Sequence, residues 1–203
     1  MLRMIAFSLG LAMSPALAFA GDAAPAGAYK TDPSHSSFNW SFSHFGLSRY
    51  TARFTRVDAR LDWNPEKPEA STLSVTVDPL SVRTDFPWPE QVDFDAKIGG
   101  DETFLAGKPI TFVSKAVRVT GERTGTVEGL LTFRGETHPA VLDVTFNGSM
   151  AEHPMMGIPK VGFSATGSIR RSQWGLGFAI PDLSDEVTFA IETQMVPADH
   201  TFQ

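Results

Sequence analysis

The clearest alternation of apolar and polar residues in the chain runs from Ser37 to Phe45. A period of two is typical of a β-strand, whose successive side chains point to opposite faces. One face carries three large aromatics and an imidazole and the other carries small polar groups, namely Phe38, Trp40, Phe42 and His44 against Ser37, Asn39, Ser41 and Ser43. The aromatic face requires a cover, which is either other protein or a bound apolar ligand.

The same period recurs along most of the chain and predicts about eight strands. From Arg53 to Trp63 the apolar residues fall in two phases, which a bulge near Thr55 reconciles. Further alternating runs lie at 72–78, 110–120, 126–133, 140–147, 163–169 and 187–191. Short strands at this spacing favour an all-β antiparallel domain, either a closed barrel or a sandwich. A barrel of about eight strands is filled by its own side chains or holds one slender ligand.

The β pattern lapses between residues 78 and 109, and this stretch predicts a short helical insertion. Pro89-Glu90-Gln91 has the composition of a helix start, with proline in the first turn. Phe94 and Ile98 then fall on one face, and Gly99-Gly100 provides a stop. The expected fold is therefore a single β-domain with one helical excursion.

The first twenty residues have the pattern of a secretory signal peptide. Arg3 precedes an apolar run from Ile5 to Met13, and Ala18-Phe19-Ala20 has the small-x-small form of a cleavage site. The run is too short for a transmembrane helix, which needs about 20 apolar residues, and Gly10 interrupts it. We expect an exported periplasmic protein with a signal peptide at 1–20, a flexible lead-in at 21–27, a barrel at 28–196 and a C-terminal tail at 197–203.

Composition narrows the function classes. The net charge of −6 makes nucleic acid an improbable partner, and the absence of cysteine rules out disulfides and thiolate metal ligands. Sixteen Phe accompany only two Tyr. Because phenylalanine has no polar group to satisfy, an interior rich in Phe can present a continuous apolar surface.

Signals of catalysis and of metal binding are weak. The five histidines show no paired spacing, so no metal site is expected. Ser36 or Ser81 can be imagined as a nucleophile with His35 or His44 as base, but neither serine lies in a Gly-x-Ser-x-Gly elbow. We therefore expect no catalytic residue.

Several motifs lie in order along the chain between Tyr29 and about Met195. They are Asp32-Pro33 with His35-Ser36, His44 with Gly46 and Arg53-Phe54, Ser81-Val82-Arg83-Thr84, the run Gly-Leu-Leu-Thr-Phe-Arg-Gly-Glu-Thr-His-Pro from Gly129 to Pro139, and Gly-Ser-Ile-Arg-Arg-Ser-Gln-Trp-Gly from Gly167 to Gly175. Together these motifs resemble those of the YceI-like family of exported, polyisoprenoid-binding proteins. The chain departs from the family pattern at Ala52, Gln173 and Trp174, and the segment 86–104 lacks the His-Leu-Arg-Ser-like run of many relatives.

The resemblance implies a lipocalin-like barrel that holds a long isoprenoid or similar lipid, such as a quinone, a polyprenyl chain or a fatty amide, with no resident cofactor and a possible homodimer. Strand phase and motif together predict the ligand-binding residues. They are Phe38, Trp40, Phe42, Phe54, Phe112, Leu131, Phe133, Leu142, Val144, Phe163, Trp174 and Phe189 for the tail, with His44 and Arg171 for a head group at the barrel mouth.

Two other functions stay open from the sequence. The cavity of the barrel could belong to an isomerase or hydrolase of a lipid-like substrate, which needs a base within reach of the reacting atom. Alternatively, Phe and Trp fill the barrel and the protein acts on another protein through its acidic surface. His44 has its own alternative, as a core histidine hydrogen-bonded to protein.

Overall fold

The computed structural model describes residues 23–202, so the predicted signal peptide lies outside the described residues. Within that range the chain forms eleven strand segments and one α-helix. They are β1 Gly27–Thr31, β2 Ser37–His44, β3 Ser48–Phe54, β4 Val57–Trp63, β5 Thr72–Val77, β6 Val82–Arg83, α1 Phe94–Gly100, β7 Ile110–Val119, β8 Thr124–Phe133, β9 Glu136–Met150, β10 Lys160–Arg170 and β11 Glu186–Pro197.

The eleven segments build eight walls, because three walls are each made of two segments. β1 continues into β2, β3 into β4, and β5 into β6, and the two segments of each pair bond to a common neighbouring wall. β11 pairs with β2 through its first half and with β1 through its second half, which closes the ring. All pairings are antiparallel. The predicted single lipocalin-like barrel of eight strands with a short helical insertion is confirmed.

Two of the three interruptions share one local cause. Each begins with Asp-Pro, at Asp32 and Asp78, and continues as a short 3₁₀ turn. Proline has no N–H to donate to the sheet, so the ladder of hydrogen bonds stops there. The aspartate carboxylate accepts a hydrogen bond from the backbone N–H two residues later: Asp32 from Ser34 at 3.0 Å, and Asp78 from Leu80 at 2.8 Å. The third interruption falls at Thr55, where the sequence indicated a bulge, and the Thr55 N–H donates to the Ser81 carbonyl at 3.1 Å.

The helix begins later than the composition around Pro89 suggested. Gln91 N–H closes a turn onto the Trp88 carbonyl at 3.1 Å, and α1 starts only at Phe94. Asp93 supplies the cap, because its carboxylate accepts from the Ala96 N–H at 2.9 Å. A side-chain acceptor, rather than the proline, therefore sets the start of the helix.

Both ends of the described chain contact the barrel. Ala24, in the predicted lead-in, is only 1% exposed and its N–H donates to Ser149 Oγ at 3.2 Å. After β11, the His200 carbonyl accepts from Lys30 Nζ at 2.5 Å, so residues of the predicted tail lie beside β1.

Candidate functional site

The barrel is not filled by its own side chains. It encloses two adjoining cavities, a wide lobe of about 690 Å³ and a narrow lobe of about 430 Å³. Cavities of this size are typical of small-molecule binding sites. Five residues line both lobes, and we call the junction that they form the waist: Phe38, Phe54, Val75, Leu142 and Ile191.

The strands order the two lobes along the barrel. From the waist at Phe38, β2 continues into the narrow lobe and ends at His44. β4 runs the other way, and Leu61 and Trp63 line the wide lobe. The wide lobe therefore ends at the turns that follow β4 and β7, and the narrow lobe ends beneath α1 and residues 171–185.

Two inward-facing glycines help to keep the interior open. A Cβ on Gly167 would lie 2.5 Å from the ring of Phe189, and a Cβ on Gly129 would lie 2.4 Å from the ring of Phe112. Both distances are shorter than any ordinary contact, so each ring lies against the wall in the space that the glycine leaves. The aromatic groups thus line the cavity and do not fill it.

Thirteen of the fourteen predicted ligand-binding residues line the cavity. The waist takes Phe38, Phe54 and Leu142, the wide lobe takes Val144 and Phe163, and the narrow lobe takes Trp40, Phe42, His44, Phe112, Leu131, Phe133, Arg171 and Phe189. Their shared position follows from strand phase. Contact with a ligand stays a prediction.

Trp174 has a different position. It is not among the described residues that line either lobe, and it is 1% exposed. Its indole N–H donates to the Leu131 carbonyl at 3.3 Å, and its ring lies 5.0 Å from that of His138. The 3₁₀ turn at residues 171–174 places this indole against the backbone of β8, where it packs.

Arg171 lines the narrow lobe, but most of its donors are occupied within the chain. Nε donates to Ser184 O at 2.9 Å, Nη2 to Leu183 O at 2.7 Å, and Nη1 to Leu176 O at 3.0 Å and to Phe178 O at 2.9 Å. Burial lowers the pKa of the guanidinium, against the opposing charge of Asp185. Arg171 therefore holds the 175–185 loop in place, and its predicted head-group contact stays a prediction.

His44 is half-buried at the end of β2, with its ring 6.5 Å from Phe42 and 4.8 Å from Phe45. Within residues 23–202, no hydrogen bond of its imidazole is found. The alternative of a core histidine held by a protein partner therefore has no support in these contacts. Both ring nitrogens are left to solvent or to a ligand.

The sequence reasoning missed part of the lining. Leu61, Trp63 and Phe146 share the phase of predicted strands, which was a usable signal, and they surround the wide lobe. The ring of Trp63 stacks on Phe146 at 5.4 Å and meets Phe163 edge-on at 5.5 Å. In the narrow lobe the missed residues include Tyr50 on β3 and five residues outside the strands, namely Phe94, Ile98, Phe104, Leu176 and Phe178.

A buried ion pair lies beside the wide lobe. Asp32 is 0% exposed and Lys160 is 4% exposed, and Lys160 Nζ lies 2.7 Å from Asp32 Oδ2. Lys160 also donates to Gln194 Oε1 at 3.0 Å. Burial by itself raises the pKa of Asp32, but hydrogen bonds from Lys160, Ser34 and His35 outweigh it, and the pKa is held well below its usual range. The pair fixes the break between β1 and β2 against β10.

Two classes of feature are absent from residues 23–202. No group of three or more histidine or acidic side chains is gathered as a metal site. No helix in that part of the chain combines the length and the apolar character needed to cross a bilayer.

A closed eight-stranded barrel with an unfilled apolar interior defines a ligand-enclosing, lipocalin-like protein. The model of the YceI-like domain matches residues 29–195, and the chain belongs to this family. A UPF0312 protein of Pseudomonas putida strain GB-1 is 36% identical over 171 residues, covering 82% of this chain and 84% of the relative.

Solved structures with the same fold include a YceI protein of Campylobacter jejuni, with a TM-score of 0.64 and 28% identity, covering 76% of this chain and 88% of that one. BcnA of Burkholderia cenocepacia gives a TM-score of 0.69 at 19% identity, covering 81% and 98%. A polyisoprenoid-binding domain of Saccharophagus degradans implicated in plant cell wall breakdown gives 0.61 at 14% identity, covering 83% and 98%. At such low identities the last two show the shared fold alone.

Proposed function

We propose that the protein sequesters or carries a long-chain isoprenoid or similar single-tailed amphiphile in the periplasm. The observation that carries this proposal is the apolar cavity that runs along the barrel through both lobes and the waist. The description of the Saccharophagus degradans domain as polyisoprenoid-binding is consistent with it. A quinone, a polyprenyl chain and a fatty amide all have tails suited to such a cavity.

The free energy of binding comes mainly from the tail. Burying a methylene-sized group contributes roughly 0.8 kcal/mol, so four or five isoprene units give a gross gain well above about 10 kcal/mol. Association costs about 4 to 15 kcal/mol. Affinity therefore does not require strong polar contacts, and we expect broad tolerance of tail chemistry.

The geometry favours a carrier over an enzyme. Ser81 is 0% exposed, and its hydroxyl donates to Asp78 O at 2.7 Å while it accepts from Arg56 N at 3.0 Å. Ser36 donates to Asp32 O at 2.8 Å and shares a hydrogen bond with Thr193. Both serines serve local structure, and within residues 23–202 neither has an imidazole within hydrogen-bond distance to act as its base.

Binding of delipidated protein to a panel of isoprenoids, quinones and fatty amides of matched length tests the proposal. We expect affinities that agree within about 3 kcal/mol, and we expect Phe189→Asp to abolish binding. Val141→Asp is the matched control, because Val141 is 47% exposed on the outer face of β9. Equal binding by Phe189→Asp and wild type would refute a site inside the barrel, and turnover of any bound lipid would favour the enzyme.

A further inference from the structure

The two lobes differ in polarity. Of the described residues that line the narrow lobe, only Trp40, His44, Tyr50 and Arg171 carry a polar side-chain group. Four donors of Arg171 are already used, and the buried indole N–H of Trp40 has no partner within residues 23–202. Charged and hydroxyl side chains reach the wide lobe from its rim, including Arg118, Glu122, Ser71, Thr72, Thr124 and Ser149. A head group buried in the narrow lobe would exchange its hydration for few polar groups, chiefly the His44 imidazole and the Trp40 indole N–H, whereas one at the rim of the wide lobe would keep more polar neighbours and contact with water.

The two lobes also differ in how they end. α1 contributes Phe94 and Ile98 over the narrow lobe, and the rings of Phe104 and Phe178 meet edge-on at 5.5 Å. Arg134 joins the two covering segments, because it donates to the Phe104 carbonyl and to the Trp174 carbonyl, the latter at 3.1 Å. α1 and the segments that carry Phe104 and Phe178 thus lie over the narrow lobe, and we call this its covered end. The wide lobe is bordered by the β4–β5 and β7–β8 turns.

The waist is lined from all sides of the barrel. Its five side chains come from five different strands, β2, β3, β5, β9 and β11, so they surround the barrel axis. The ring of Phe38 lies 5.5 Å from that of Phe54 and 5.9 Å from that of Phe189. These distances join neighbours on adjacent strands and describe a packed aromatic wall. The small volume of the narrow lobe, about 430 Å³, favours one hydrocarbon tail over two side by side.

We infer that the ligand enters tail first from the end of the wide lobe, that a single tail passes the waist, and that the narrow lobe measures its length. The head group then lies at the rim of the wide lobe, at the opposite end from His44 and Arg171. The ligand class is a single-chain amphiphile whose tail ends beneath α1, rather than a two-chain phospholipid. This inference rests on the proposed function.

Filling the narrow lobe tests the inference. Ala140 on β9 lines that lobe, and its neighbour Val141 faces outward, so Ala140→Phe and Val141→Phe form a matched pair. The probe is a series of all-trans prenols from farnesol to solanesol, with quinone and phosphate derivatives of one length. Because the added ring takes the space of about one isoprene unit in a close-packed cavity, we expect Ala140→Phe to shift the optimum tail length down by about that unit. Val141→Phe should keep the wild-type optimum.

A second variant covers the case in which Ala140→Phe fails to fold. Phe178 is 50% exposed at the covered end, and Phe178→Ala should widen that end and extend binding to longer prenols. An unchanged length optimum in the folded variants would overturn the inference, as would a change in preference among head groups at constant length, which places the head group in the narrow lobe. If wild-type protein binds no prenol at all, the proposed function fails instead.

Discussion

Replacement of Lys160 by methionine measures how much the buried ion pair contributes to the free energy of unfolding. The variant keeps a long apolar side chain but leaves the Asp32 carboxylate, 0% exposed, without its cation 2.7 Å away. Breaking a buried pair from one side costs about 3 to 5 kcal/mol. Asp32 retains hydrogen bonds from Ser34 and His35, so we expect about 3 kcal/mol, the lower end of that range. For a chain of this length this corresponds to a fall in Tm of roughly 6 to 12 °C.

Thermal unfolding of wild type, Lys160→Met and the exposed control Lys67→Met measures this loss. The lowered pKa of Asp32 adds a pH test: its contribution to wild-type stability is complete above the unfolded pKa of about 3.9 and is lost as the pH falls below it. The difference in the free energy of unfolding between wild type and Lys160→Met should therefore be largest near neutral pH and should become smaller in acid. A gap below about 1 kcal/mol, or one that does not change with pH, would refute the account of this pair.

Three further predictions concern the cavity and its covering loop. Gly167→Ala should push the ring of Phe189 into the narrow lobe and cost about 1 to 3 kcal/mol, with less lipid bound per mole of protein in mass spectrometry; normal lipid content would contradict the packing argument. Arg171→Lys cannot satisfy all four carbonyls, so limited proteolysis should cut the 175–185 loop faster while the spectrum of bound lipids is unchanged. A changed lipid spectrum with normal proteolysis would instead support the predicted head-group contact. His44→Ala removes no protein hydrogen bond found in residues 23–202, so its Tm should stay within a few degrees of wild type, and a large fall would reveal a partner for the imidazole.

The walls of the barrel were predictable because a strand has a strict period of two. Phe38, Trp40 and Phe42 are alternate residues of one strand, so their side chains must lie on the same face. The same alternation on β9 places Leu142 and Val144 inside the barrel. The break at Thr55 was also visible, since a change of phase within an apolar run requires an extra residue. The family motifs supported the same fold.

Features that depend on distant or irregular parts of the chain were not predictable. Lys160 pairs with Asp32 across 128 positions, and nothing in either local sequence signals the contact. The acceptors of Arg171 are carbonyls of a loop and carry no sequence signature, so its role in holding that loop could not be predicted. Trp174 does not line the cavity, contrary to its predicted position, because it lies in a 3₁₀ turn after β10. Such a turn does not continue the alternation of the strand. The waist arises from five strands at once, so no single periodicity reveals it.

Native mass spectrometry of the protein, expressed with its own N-terminal segment in a bacterial periplasm and purified without detergent, tests the central claim most directly. The account predicts a species heavier than the polypeptide by the mass of one long single-tailed lipid, which organic extraction releases and identifies. The same species should be absent from Phe189→Asp and present in Val141→Asp. A wild-type protein that carries no lipid and takes up none from added prenols, although folded, would contradict the claim that the cavity is a lipid site.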